Sequence, residues 1–107
     1  MANEVPLNYL ANMFTGPVAH GGKIYITDEE ITFQTRGLNF WNGSRKIAIK
    51  DITGYERGML NILHIFAGDT HWKLSVWKKG SIVEAIETRR QAWYTRRGMP
   101  VPPLTHV

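Results

Sequence analysis

The chain has 107 residues, enough for one domain with one core, and its 43% hydrophobic and 21% charged content is an ordinary globular balance. There is no cysteine, which excludes disulfides and thiolate metal sites, and no apolar run approaches the ~20 residues that span a bilayer. Thirteen Lys and Arg against nine Asp and Glu give a formal net charge of +4, which permits an anionic partner without requiring one.

Residues 1–6 carry neither a basic start nor an apolar segment of signal-peptide length, so a cytoplasmic chain is expected. Residues 7–14 are apolar with two Asn and stop at Gly16-Pro17, which predicts a first strand. His20-Gly21-Gly22 reads as a turn into the most regular stretch of the chain. There Ile24 and Ile26 alternate with Lys23, Tyr25 and Thr27. After the polar break Asp28-Glu29-Glu30, Ile31 and Phe33 alternate with Thr32 and Gln34. A period of two places each set on one face, so this is a hairpin of two half-buried strands. Residues 35–46 contain two Gly and two Asn and read as a loop, though Leu38, Phe40 and Trp41 lie within it.

Ile47 and Ile49 alternate with Lys46, Ala48 and Lys50, another strand, and Ile52 and Tyr55 continue it with a bulge expected at Gly54. Residues 62–67 and 71–77 flank Gly68-Asp69-Thr70, a hairpin signal. Two registers are open, with Phe66 or Ile65 beside Trp72. The second gathers Leu63, Ile65, Trp72, Leu74 and Val76 on one face and is the expected one, since a one-residue slip would turn that set to water.

The period then changes. Ser81-Ile82-Val83-Glu84 matches a capping box, and Val83, Ile86 and Trp93 recur at helical spacing. A helix over 81–94 is predicted, with Arg96 and Arg97 at its C-terminus and Gly98 as its stop. Residues 1–98 form the expected domain and 99–107 an extended, proline-rich tail. Seven short strands followed by an amphipathic helix suit a small barrel plugged at an open end, with Val83, Ile86 and Trp93 as the plug.

The stretches Ala11-Asn12-Met13-Phe14, Gly21-Gly22-Lys23-Ile24-Tyr25-Ile26-Thr27-Asp28, Ile31-Thr32-Phe33, Ile47-Ala48-Ile49-Lys50-Asp51-Ile52 and Val76-Trp77-Lys78, with Glu84-Ala85-Ile86-Glu87 after it, resemble the GRAM domain of the pleckstrin-homology-like superfamily. Glu30 departs from the pattern, standing where the family commonly has a basic residue. The resemblance implies a mainly β (α+β) fold, a seven-stranded partial barrel of two sheets capped by one C-terminal helix. It also implies a non-enzymatic module without a cofactor that binds anionic membrane lipid or a protein, placed in the cytoplasm or peripherally at the membrane.

Catalysis has little support. There is no Gly-x-Ser-x-Gly elbow, and His20, His64, His71 and His106 lack the spacing of a zinc site. His64 and His71 can approach across the hairpin but read as ordinary surface histidines. Asp28, Glu29 and Glu30 read as a solvated turn.

Two surfaces carry binding hypotheses. In the first, Arg36, Leu38, Phe40, Trp41, Arg45 and Lys46 combine aromatic and basic side chains as a lipid-contacting loop would. The alternative is that Leu38 and Phe40 fold back over the barrel end. In the second, Ile62, His64, Phe66, His71, Lys73 and Trp77 share the outward face of the last hairpin, an apolar surface suited to a partner or to a homo-oligomer. Covering by another segment is the alternative. Nucleic acid is a third and unfavoured partner. Its best support, Arg89, Arg90, Arg96 and Arg97, reads as a solvated helix end.

Overall fold

The alternating isoleucines are the centre of the molecule. Ile24, Ile26, Ile31 and Phe33 are all fully buried and lie on one face of a hairpin. The computed structural model describes residues 7–35 and 44–105. Its strands are β1 (Leu7–Thr15), β2 (Val18–Ile26), β3 (Glu30–Thr35), β4 (Ser44–Ala48), β5 (Gly54–Arg57), β6 (Ile62–Ala67) and β7 (Thr70–Val76), and one helix follows, α1 (Lys79–Arg96). All neighbouring strands are antiparallel, in the order β4-β3-β2-β1-β7-β6-β5. In place of the expected two sheets, the strands form one seven-stranded sheet, continuous through β1. The whole length of β1 pairs with β2, whereas only Ala11 to Phe14 pair with β7. The sheet edges, β4 and β5, are not paired with each other, which leaves the barrel partial.

Two tight turns set the registers. Thr15 pairs with Val18 and Ala67 with Thr70, so each turn has two residues. In each, glycine comes first with positive φ, Gly16 at 64° and Gly68 at 60°, a backbone that matches the twist of the flanking strands. The β6–β7 hairpin adopts the expected register, with Ile65 opposite Trp72 and Leu63 opposite Leu74. Leu63, Ile65, Trp72, Leu74 and Val76 are accordingly buried together.

Three local expectations are corrected. His20, Gly21 and Gly22 form no turn but run through the middle of β2. Gly22 is where the β3 backbone comes closest, since a Cβ there would run into the Gln34 carbonyl. The strand expected to pass through Ile49 and Ile52 is broken by a short 3-10 turn, Ile49–Asp51, which separates the edge strands β4 and β5. Ile49 and Ile52 stay buried on either side of that corner.

The helix also starts earlier than its sequence suggests. Lys78 occupies the N-cap and makes no side-chain capping bond, so Ser81 lies inside the first turn and is exposed. The Lys79 ammonium instead donates to the Gly58 carbonyl at 2.8 Å and ties the helix start to the β5–β6 turn. The buried stripe is Ile82, Ile86 and Arg90, spaced by four, while Val83 and Trp93 pack only partly against the core. At the other end Gly98, with φ 68°, is the stop that was expected. Gly98 N–H donates to Thr95 O and Met99 N–H to Tyr94 O, each at 3.0 Å, as in a Schellman motif.

Candidate functional site

An antiparallel meander sends alternate connections to opposite rims of the sheet. The β1–β2 and β6–β7 turns, the end of β3 and the start of β4 share one rim, the β2–β3 and β5–β6 turns share the other, and the β4–β5 link crosses between them, Ile49 N–H donating to Glu29 O at one end and Gly68 N–H to Thr53 Oγ1 at the other. Arg36, Leu38, Phe40 and Trp41 of the lipid-binding hypothesis lie outside the described residues. Arg45 and Lys46 begin the edge strand β4 and are exposed. They do not share a face. Arg45 pairs with Phe33, on the core side, and Lys46 with Thr32, on the outward side. Lys46 approaches the Glu30 carboxylate at 3.7 Å in a solvated contact of little energetic weight.

On the last hairpin, Ile62, His64 and Phe66 of β6 and His71 and Lys73 of β7 share the outward side, as their alternation requires. The ring nitrogens His64 Nδ1 and His71 Nε2 lie 2.7 Å apart and share a hydrogen bond. The His71 ring stacks on Phe66 with centroids 4.6 Å apart and planes 10° from parallel. The histidines therefore shield Phe66, and this end of the face is less apolar than its sequence suggests. Burial, then the neighbouring His71, holds the His64 pKa below the ordinary histidine value, and Lys73 adds to the effect while Glu56 opposes it. Lys73 leans over the Phe14 ring, 5.0 Å from its centroid. Trp77 follows the end of β7 and is 79% exposed. Together with Leu10, Asn12, Asn61 and Ser75 it lines a shallow depression of about 220 Å³.

Three features were missed at the level of sequence. The first is a buried polar group beneath the helix. The Arg90 guanidinium, 2% exposed, donates to both Glu87 carboxylate oxygens at 3.0 Å and to the Pro102 carbonyl at 2.9 Å. Tyr55 Oη donates to Glu87 Oε1 at 3.0 Å. Burial, followed by the Glu87 charge and hydrogen bond, drives the Tyr55 pKa far up, so it remains a neutral donor. Burial acting alone would raise Glu87. The hydrogen bonds from Arg90, Gln91 and Tyr55 and the Arg90 charge outweigh it and hold the carboxyl below its ordinary range.

The second is the role of the acidic β2–β3 turn. It does not stand free in solvent but docks the end of the helix. Trp93 Nε1 donates to Glu29 Oε1 at 3.2 Å, Arg97 lies 3.7 Å over the Trp93 ring, and Arg89 approaches Asp28 at 3.8 Å. With Arg90 buried and Arg89 and Arg97 engaged, these arginines do not form an open basic surface for nucleic acid. The third is the β5–β6 turn, where Met59 and Leu60 are 82% and 86% exposed. Two apolar residues between the turn formers Gly58 and Asn61 were the available signal. Among the described residues no group of three His, Asp or Glu side chains could hold a metal ion, and no helix is long and apolar enough to cross a membrane.

Solved structures share this architecture. The chain superposes with a TM-score of 0.67 on the N-terminal PH domain of human ARAP2, at 6% identity, over 82% of this chain and 81% of that one. The fold is pleckstrin-homology-like. A C-terminal domain of an unknown protein from Leishmania infantum matches it similarly, with a TM-score of 0.68 and 12% identity, over 81% of this chain and 84% of that one. No family model and no curated protein sequence matches the chain. A pleckstrin-homology-like framework accounts for the single sheet, the helix after β7 and the distribution of connections between two rims.

Proposed function

We propose that the chain is a non-enzymatic binding module of the GRAM branch of this fold, and that its ligand is the anionic surface of a membrane. One observation carries the reading: exposed basic side chains, Arg45 and Lys46, stand where segment 36–43 rejoins an edge strand. That segment and its flanks supply Arg36, Leu38, Phe40 and Trp41, the aromatic and basic mixture that suits a headgroup region. The net charge of +4 favours the same ligand.

Vesicle co-sedimentation tests this reading. Binding to vesicles containing phosphatidylserine, weakening as salt rises past the ~10 Å screening length of 0.1 M solution, is the expected result. Equal binding to neutral vesicles, or none to either, would dismiss it.

A second reading is association through the outward face of the β6–β7 hairpin, as a homo-oligomer or with a different protein. Trp77, a large apolar side chain left 79% exposed, favours it. Light scattering decides the self-association case, because a monomer at high micromolar concentration removes it.

A further inference from the structure

Met59, Leu60 and Trp77 are 82%, 86% and 79% exposed, yet they are neighbours. The Val76 N–H donates to the Asn61 carbonyl at 2.8 Å, continuing the β6–β7 ladder one step beyond the Ile62–Ser75 pair. Leu60 directly precedes Asn61 and Trp77 directly follows Val76, so the two flank that bond. Met59 lies in the same turn, which is closed by Ile62 N–H to Met59 O at 3.1 Å and Gly58 N–H to Ile62 O at 2.9 Å. Leu60 sits at φ 55°, a left-handed backbone that disfavours a bulky residue and that turns normally give to Gly or Asn. The chain thus places a strained leucine at the tip of a turn and leaves it in water.

The surroundings are basic. Arg57 ends β5 at this turn, Lys78 caps the helix, and Lys79 is bonded to the turn through Gly58 O. Across 54–62 and 75–81 the single acid is Glu56, whose strand partner is His64. The first turn of α1 has no acidic residue, so Lys78 and Lys79 stand at the positive end of the helix dipole, where acids are normally favoured. Three exposed apolar side chains with Arg57, Lys78 and Lys79 beside them in the chain match an anionic lipid surface. The apolar tips enter the headgroup boundary and the cations meet the lipid charge. A fluid headgroup boundary receives exposed apolar side chains without a shaped complement, which a protein partner would have to supply.

We infer that the β5–β6 turn and the end of β7 form a membrane-contacting tip for anionic lipid, made by Met59, Leu60 and Trp77 with Arg57, Lys78 and Lys79. The inference rests on the anionic-lipid reading for its ligand class but not for its place. Arg45 and Lys46, near the start of β4, belong to the opposite rim.

Because the chain has no cysteine, Leu60→Cys carries a unique environment-sensitive fluorophore. Its emission shifts to the blue on vesicles of phosphatidylcholine with phosphatidylserine and stays unchanged on phosphatidylcholine alone. The same label at Asp69→Cys, on the opposite rim, does not respond. Met59→Ser with Leu60→Asn and Trp77→Ser abolishes co-sedimentation while the thermal melt is kept, since Asn tolerates the left-handed backbone at position 60. Lys78→Gln lowers vesicle affinity about fivefold.

A silent label at 60 on vesicles that do bind the protein, with a label at Trp41→Cys responding, overturns the tip and leaves the lipid reading standing. Absence of vesicle binding overturns both. A label at 60 that responds to protein concentration without vesicles identifies a second copy as the occupant and overturns the inference.

Discussion

Arg90 holds a core position that its residue type would not predict. The helix stripe that buries Ile82 and Ile86 continues onto it, and the guanidinium is accepted there because Glu87 and the Pro102 carbonyl take up its donors. Removing one partner of such a buried pair strands the other, so Arg90→Ala is expected to cost about 3 kcal/mol. Ile86→Ala is expected to cost a similar 2–5 kcal/mol, roughly, through the cavity it leaves. Ser81→Ala, at an exposed position with no capping bond, changes stability by less than about 0.5 kcal/mol. Chemical denaturation of the three variants checks the order, and an Ser81→Ala loss matching the other two would contradict the helix start described above.

The same group sets an acid limit. Glu87 has a folded pKa below its unfolded one, so the unfolded state binds more protons as pH drops past the ordinary glutamate value of about 4.3. The stability contributed by the pair is complete above that value and is lost as pH falls through the lower folded pKa. Glu87→Gln is expected to lower stability at neutral pH and to flatten its decline in acid, as read from denaturation midpoints across that range.

At the scale of elements, the β6–β7 hairpin was legible because five apolar residues satisfy only one register. The β2–β3 hairpin was legible for the same reason. The start of the helix was not. A capping-box pattern at Ser81 competed with a tertiary contact, Lys79 to Gly58 O, that no local pattern contains. The corner at Ile49–Asp51 was hidden because a 3-10 turn keeps Ile49 and Ile52 buried, just as a strand would. Of the candidate site, the shared outward face was readable from alternation, but the shielding of Phe66 by His71 depends on ring orientation, which alternation does not specify.

His64 gives this hairpin a titration of its own. A lowered folded pKa at His64 means that the unfolded state takes up protons first as pH falls from about 6.5. Stability is therefore lost as pH drops through the interval between the two values and is unaffected above it. His71→Phe is expected to keep the stack on Phe66 while reducing that slope. Melting temperatures between neutral and mildly acidic pH check this, and an unchanged slope would assign the proton uptake elsewhere.

For the whole molecule, the helix is held along one rim of the sheet. The rim carrying the acidic β2–β3 turn receives the helix end, through Glu29 to Trp93 and Asp28 to Arg89, so the helix is fixed at both of its ends. Met59, Leu60 and Trp77 remain exposed beside it. This arrangement follows from the antiparallel order and not from any motif, which is why the sequence suggested a plug without showing what docks it.

The stretch after Gly98 is extended, yet it is stitched down. Pro102 O accepts from Arg90, and both the Thr105 amide and hydroxyl donate to Thr53 O, at 2.8 and 3.0 Å. An irregular segment thus does what a core element does. Without it the buried Arg90 guanidinium would keep Glu87 alone as its acceptor and the Thr53 carbonyl would lose both of its Thr105 donors, so shortening the chain before Pro102 would be felt in the core and not only at the surface.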